Sequence, residues 1–159
     1  MLRPKLKYFG LAIIIIALDL YTKYLANINL NFATPVKITN FFNLTLLYNH
    51  GAAFSFLSNS QTSWQLMMFS IISLIAAVIL ICLIIKQPIQ AKLNLISFSL
   101  ILGGALGNFY DRAFRGFVID FLDFHLGNYH WPAFNIADSA ITCGVILIIL
   151  KSFYKKTRV

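Results

Sequence analysis

All five acidic residues of this 159-residue chain are aspartates: Asp19, Asp111, Asp120, Asp123 and Asp138. Four of them fall between positions 111 and 138, in a chain that is 59% hydrophobic and only 11% charged. An ionisable side chain near or inside an apolar segment is costly to keep, so each one is a functional candidate. Clustered carboxylates in such surroundings could serve acid–base chemistry, ion handling or structural ion pairing. Asp138, in Asn135-Ile136-Ala137-Asp138-Ser139, sits four residues into the last apolar run. That is about 6 Å of helix rise, where an ionised carboxylate costs about 2.5–3.5 kcal/mol. It must face protein, water or a partner, or be a helix-entry aspartate held by the macrodipole; both readings stay open. Asp120 is flanked by Val118-Ile119 and Phe121 rather than by turn formers, with no ion-pair partner beside it in sequence. Asp123, followed by Phe124-His125, reads as a rim or solvent-facing residue.

Two further pairs have helical spacing. Asp19 and Lys23 are i, i+4, with a mutual ion pair as the simplest reading, and Thr22 lies on that side. Asn108 and Asp111 are i, i+3 and can point into one cavity, while Arg112 neutralises a carboxylate or meets headgroups. Gly103 and Gly107 form a GxxxG, which permits close helix packing.

The elements that must position these groups follow from composition. A mean hydropathy of +0.77 lies outside the range of soluble domains. Four apolar segments, about 8–26, 64–85, 93–110 and 134–150, are each long enough to cross a hydrocarbon core. The fold expected is therefore an all-α polytopic membrane protein of one domain with four transmembrane helices. The net charge of +8 is split among short tails beside the segments, which argues against a nucleic-acid role. Nine of the thirteen basic residues lie before the first segment, in the second connection or after the last segment. The positive-inside rule then places both termini in the cytoplasm. Asp19 and Lys23 interrupt the first segment, which reads as a retained helix rather than a cleaved signal peptide. Cys82 and Cys143 lack metal or redox spacing and read as buried, inert thiols.

Under this topology residues 27–63 and 111–133 face outward. In the first, Val36–Thr39 and Leu44–Tyr48 are rich in β-branched and aromatic residues and predict a small extracytoplasmic β element between helices 1 and 2. The second carries Phe114, Phe117, Phe121, Phe124, Tyr129 and Trp131 among its charges, a composition suited to the headgroup layer. Asp19, Asn49, Asn108, Asp111, Asp120 and Asp138 all map to the outer third of the membrane or just above it, where four spans can surround one polar pocket.

Five strings in order resemble the lipoprotein signal peptidases (signal peptidase II), bacterial inner-membrane aspartyl peptidases. They are Asp19-Leu20-Tyr21-Thr22-Lys23; Asn49-His50-Gly51-Ala52-Ala53-Phe54-Ser55; Gly103 to Arg112; Gly116-Phe117-Val118-Ile119-Asp120-Phe121; and Phe134 to Ser139. The resemblance spans nearly the whole chain. It implies Asp120 and Asp138 as the catalytic pair, with Asp19, Lys23, Asn49, Gly104, Asn108, Asp111, Arg112, Asn135 and Ala137 shaping or polarising the pocket. It also implies a diacylglyceryl-modified prolipoprotein substrate, cut on the amino side of the lipidated cysteine, and membrane lipids as surroundings. No cofactor or metal is implied, and a monomer is expected. Such a carboxylate pair shares a proton near neutral pH. One member takes a proton from the attacking water while the other serves the carbonyl oxygen and the leaving amine. Asn49, Asn108 or Asn135 can donate to substrate backbone or to the developing oxyanion.

Two rival readings compete. A metal-dependent membrane hydrolase would use Asp120, Asp123, His125, His130 and Asp138, but no HExxH-like ligand helix supports it. A proton- or ion-coupled transporter would need carboxylates through the membrane depth, and the inner halves of the four segments carry none.

Overall fold

The structure, a computed structural model, describes residues 3–50 and 63–156. The stretch Gly51 to Ser55 of the second string quoted above therefore lies outside the described residues, as does most of the second half of the first outward connection. Four helices, α1 (Leu6–Asn29), α2 (Ser63–Lys86), α3 (Lys92–Arg115) and α4 (Ile136–Lys156), are each long and apolar enough to cross a membrane. Their outward faces carry large side chains such as Ile13, Ile14, Met67, Ile71, Ile75 and Ile79. An apolar surface of that extent fits a lipid environment and not water.

Helix α3 packs against the other three and is the most buried of them. Its sequence accounts for this: Ser97, Ser99, Gly103, Gly104 and Gly107 offer small surfaces, and the two serines return their hydroxyls to Leu93 and Leu95 carbonyls of their own helix. A Cβ on Gly103 would lie 2.7 Å from Ile15 Cβ of α1, so the glycine sets how near the two helices come. At the end away from the strands, Tyr8, Ala12, Ala77, Leu80, Ile84, Leu95 and Leu102 form an apolar cluster joining α1, α2 and α3. There the Lys5 ammonium donates to the Ile85 carbonyl in the last turn of α2, where a cation is favoured.

At the opposite end lies a four-stranded antiparallel sheet, in the order β1 (Val36–Lys37), β2 (Phe42–Asn49), β3 (Val118–Leu126) and β4 (Tyr129–His130). The first connection provides β1 and β2 as its β-branched runs require. The segment 111–133, whose composition predicts a place in the headgroup layer, supplies β3 and β4 and so half of the sheet. Its alternation is concealed because Asp120 and Asp123, three apart, fall on opposite faces of one strand. Gly116, in the left-handed region at φ 77°, ends α3 and turns the chain into β3. Ala26, Leu46, Ile119 and Phe121 form the apolar layer beneath the sheet. Cys82 and Cys143 lie on exposed helix faces rather than buried as expected. A helix that is apolar on every side gives no sign of which face turns inward.

Candidate active site

The buried charges form two adjoining groups where the sheet meets the helices. The first is structural in its geometry. Lys23 Nζ lies 2.6 Å from Asp19 Oδ2 and 2.9 Å from Asp111 Oδ2, and donates to Asn108 Oδ1 at 2.9 Å. Asp111 is paired on its other oxygen with Arg115 Nη1 at 2.9 Å and also accepts the Ile119 backbone N–H. Asp19, Lys23 and Asp111 are all 0% exposed. Two carboxylates and two cations leave the group neutral, which is the condition under which buried charges are tolerated. The i, i+4 pair expected from sequence is thus one edge of a larger network. Arg115 is a member that the sequence reading misses, although its i, i+4 spacing from Asp111 is the available signal. Thr22 does not join in, since its hydroxyl returns to the Leu18 and Asp19 carbonyls.

The second group is built on the start of α4. Asn135 is the N-cap: its Oδ1 accepts the Asp138 N–H at 2.9 Å, and Asp138 Oδ2 accepts the Asn135 N–H at 3.3 Å. This reciprocal pairing is a capping box with Asp at the third helical position. The Ala137 N–H, between them, is taken by Asp19 Oδ1 at 2.8 Å, so a side chain of α1 caps α4 as well. Asp138 Oδ1 accepts from Asn108 Nδ2 at 2.7 Å. Asp138 is thus a helix-entry residue that also faces protein: its capping bonds fix the carboxylate where Asn108 reaches it.

Asp120 arrives on β3. Asn135 Nδ2 donates to its Oδ1 at 2.7 Å and Asn49 Nδ2 to its Oδ2 at 3.0 Å. One amide, Asn135, thereby holds Asp120 through its nitrogen and the Asp138 backbone through its oxygen. Burial and then the charge of Asp138 push the Asp120 carboxyl up to about 7, against the opposing hydrogen bonds of Asn49 and Asn135. Arg112 stacks its guanidinium over Phe69 at 5.5 Å and keeps a buried Nε without a partner among the described residues. Asp138, Asp120 and Asp111 are the carboxylates that act on it electrostatically. Phe69, on α2, has no sequence signal.

Close helix approach makes these distances attainable. A Cβ on Gly107 would stand 2.6 Å from Asp19 Oδ2, and one on Gly104 would run into the Ala137 carbonyl oxygen and stand 2.7 Å from Ile141 Cγ1. Gly104→Ala is therefore expected to push back the first turn of α4 and lower stability by about 1–3 kcal/mol. Thermal unfolding of the detergent-solubilised protein would register this as a reduced Tm, and an unchanged Tm would contradict it.

Of the eleven residues singled out from sequence, Asp19, Lys23, Asn49, Asn108, Asp111, Asp120, Asn135 and Asp138 share one continuous hydrogen-bond and ion-pair network. Ala137 joins it through its backbone N–H, Gly104 by its lack of a side chain, and Arg112 lies beside it. Asp123 departs from expectation. It is 5% exposed, not solvent-facing, and is bonded to Asn43, Thr45 and His130. Burial alone would raise this carboxyl, but hydrogen bonds from His130, Asn43 and Thr45 outweigh it and hold it below the ordinary carboxylate value. Among the described residues no three His, Cys, Asp or Glu side chains are arranged to hold a metal ion.

Fold and site together define a class: a polytopic membrane protein whose carboxylates are gathered under a small sheet at one end of a four-helix bundle. A family model described as Signal peptidase (SPase) II matches residues 11–154. The chain is 77% identical over 158 residues to a lipoprotein signal peptidase of Francisella tularensis subsp. novicida, covering 99% of this chain and 98% of that one. It is 45% identical over 152 residues to a lipoprotein signal peptidase of Vibrio parahaemolyticus, covering 94% and 89% respectively. A bacterial membrane enzyme solved by the in meso method at 2.3 Å superposes with a TM-score of 0.83 at 33% identity, over 96% of this chain and 90% of that chain. Another, at 1.9 Å, gives 0.79 at 35% identity, over 91% of each. The chain belongs to the signal peptidase II family and is a peptidase with four membrane-spanning helices.

Proposed function

We propose that this chain is an aspartic endopeptidase of the bacterial inner membrane that removes signal peptides from diacylglyceryl-modified prolipoproteins, cutting on the amino side of the lipidated cysteine. Asp120 and Asp138 are its catalytic pair, and no metal takes part. The observation that carries this reading is the meeting of two carboxylates, from a strand and from a helix start, at the single residue Asn135, whose side chain donates to Asp120 and whose backbone N–H donates to Asp138. The names of the relatives support the substrate class, since both are lipoprotein signal peptidases.

In this mechanism Asp120 carries the shared proton near neutral pH, because burial and Asp138 oppose its ionisation. It donates that proton towards the scissile carbonyl oxygen. Asp138, fixed by Asn108 and the Asn135 N–H, takes a proton from water as the water attacks the carbonyl carbon. The tetrahedral intermediate then collapses with proton transfer to the departing amine. The Arg112 guanidinium and the asparagine amides supply positive potential to the developing oxyanion. The neutral network of Asp19, Lys23, Asp111 and Arg115 holds α1, α3 and α4 at the spacing this requires. The basic tails support cytoplasmic termini, which puts the pair on the extracytoplasmic side, and the protein acts as a monomer.

The purified protein should cleave a diacylglyceryl-modified lipobox peptide and leave its non-acylated counterpart intact. Equal turnover of the two would refute the substrate assignment. The pH dependence follows from the Asp120 carboxyl. Since the acid form is required, kcat/KM should fall as pH rises through about 7, by about tenfold per unit beyond it. Asn49→Ala removes a hydrogen bond that favours the ionised form, so its alkaline limb should move to higher pH. A limb unmoved in a pH–rate profile of that variant would contradict the assignment.

A further inference from the structure

Asp123 lies outside the catalytic network, and its carboxylate ties three strands together. Its Oδ2 accepts from Asn43 Nδ2 at 3.3 Å and Thr45 Oγ1 at 3.0 Å, both on β2, and its Oδ1 faces His130 Nδ1 on β4 at 2.7 Å. The His125 ring of β3 stacks on His130 at 5.0 Å. On the far side of β2, Lys37 of β1 is the backbone partner of Asn43.

The pairing of β2 with β3 gives this knot its consequence. Asn43 is opposite Asp123 and Leu44 opposite Leu122, but the next pairs are Leu47 with Asp120 and Asn49 with Val118. Two residues of β2, Thr45 and Leu46, therefore oppose the single residue Phe121. Side chains alternate with period two, so one extra residue reverses which face the rest of the strand presents. Without it Asn49 would share the face of Asn43, Thr45 and Asp123, and would turn away from Asp120. With it Asn49 Nδ2 reaches Asp120 Oδ2 at 3.0 Å.

We propose that Asp123 is a positioning residue for the reaction: gripped by His130, its carboxylate pins Asn43 and Thr45 in the register that forces the bulge and so delivers Asn49 to Asp120. The importance of this for catalysis rests on the catalytic reading of Asp120, whereas the delivery of Asn49 is testable without it.

The chain has five aspartates and no glutamate, so carbon-13 labelling of aspartate carboxyls yields five side-chain signals. Titrating the full-length protein in detergent, with the Asp120 signal assigned from the Asp120→Asn variant, reads the site directly. Asp123→Ala should raise the Asp120 titration point in the same direction as Asn49→Ala, and the double variant should go no further than Asn49→Ala alone. Direction matters, because loss of a nearby negative charge by itself would lower that titration point. Along with it kcat/KM should fall about 10-fold to 10²-fold, as for a misplaced catalytic contact, and His130→Gln should produce a smaller change of the same sign. A folded Asp123→Ala protein with an unmoved or lowered Asp120 titration, or effects that add fully to those of Asn49→Ala, would overturn the proposal. If Asp123→Ala does not accumulate, Thr45→Val combined with His130→Gln is put through the same comparison, and the same results decide it. An active Asp120→Asn enzyme would instead defeat the catalytic reading and leave the titration result standing.

Discussion

Replacing Lys23 with methionine is expected to abolish accumulation of the folded protein. Methionine retains much of the apolar stem but removes the charge that meets Asp19 at 2.6 Å and Asp111 at 2.9 Å. Both carboxylates are 0% exposed, and Asp19 would be left without a cation while facing the charge of Asp111. Breaking a buried pair in this way costs about 3–5 kcal/mol, a large part of a folding free energy of about 5–15 kcal/mol. Arg115 cannot take over, because it already occupies the other oxygen of Asp111. Asp19 also caps α4 through the Ala137 N–H, so its displacement reaches the first turn that carries Asp138. The yield of monodisperse protein after membrane extraction, and its Tm, would measure this. A Lys23→Met protein with wild-type yield and Tm would show that the network is dispensable.

The second large effect belongs to the carboxylate pair. Asp120→Asn and Asp138→Asn are each expected to lower the cleavage rate by about 10³-fold to 10⁴-fold, since either change removes a proton acceptor or donor that the other group cannot replace. The two losses should not add: the double variant should be about as inactive as either single one, because the residues act as a unit. Neither substitution should unfold the protein. The amide oxygen introduced by Asp120→Asn can still accept from Asn49 or Asn135. Asp138→Asn leaves untouched the backbone N–H at that position, which donates to Asn135 and starts α4. Initial rates of the three purified variants, each checked by its Tm, would test this. Additive losses would mean that the two carboxylates serve separate steps.

Much of the candidate site is legible in the sequence where its contacts are local. Asp19 with Lys23 and Asn108 with Asp111 follow from helical spacing, and the Asn135-x-x-Asp138 spacing is that of the capping box the structure reveals. The four spans are equally plain, because length and composition suffice to identify them. What stays hidden depends on distant pairing. The bonds of Asp123 to Asn43 and Thr45 join residues about eighty positions apart. The strand that bears both Asp120 and Asp123 has carboxylates on opposite faces, so it carries no simple alternation. The bulge at Thr45-Leu46 exists only in the pairing of two strands and leaves no mark on either alone. For Cys82 and Cys143 the limit is different: in helices meeting lipid, both the buried and the outward face are apolar.

The most direct test of the dyad is cleavage of a diacylglyceryl-modified lipobox peptide by purified wild-type, Asp120→Asn and Asp138→Asn proteins, followed by mass spectrometry of the products. The expected result is release of the signal peptide with the lipidated cysteine at the new amino terminus for wild type, and no detectable product from either folded variant over many wild-type turnovers. Near-wild-type release by either variant would contradict the assignment of the dyad.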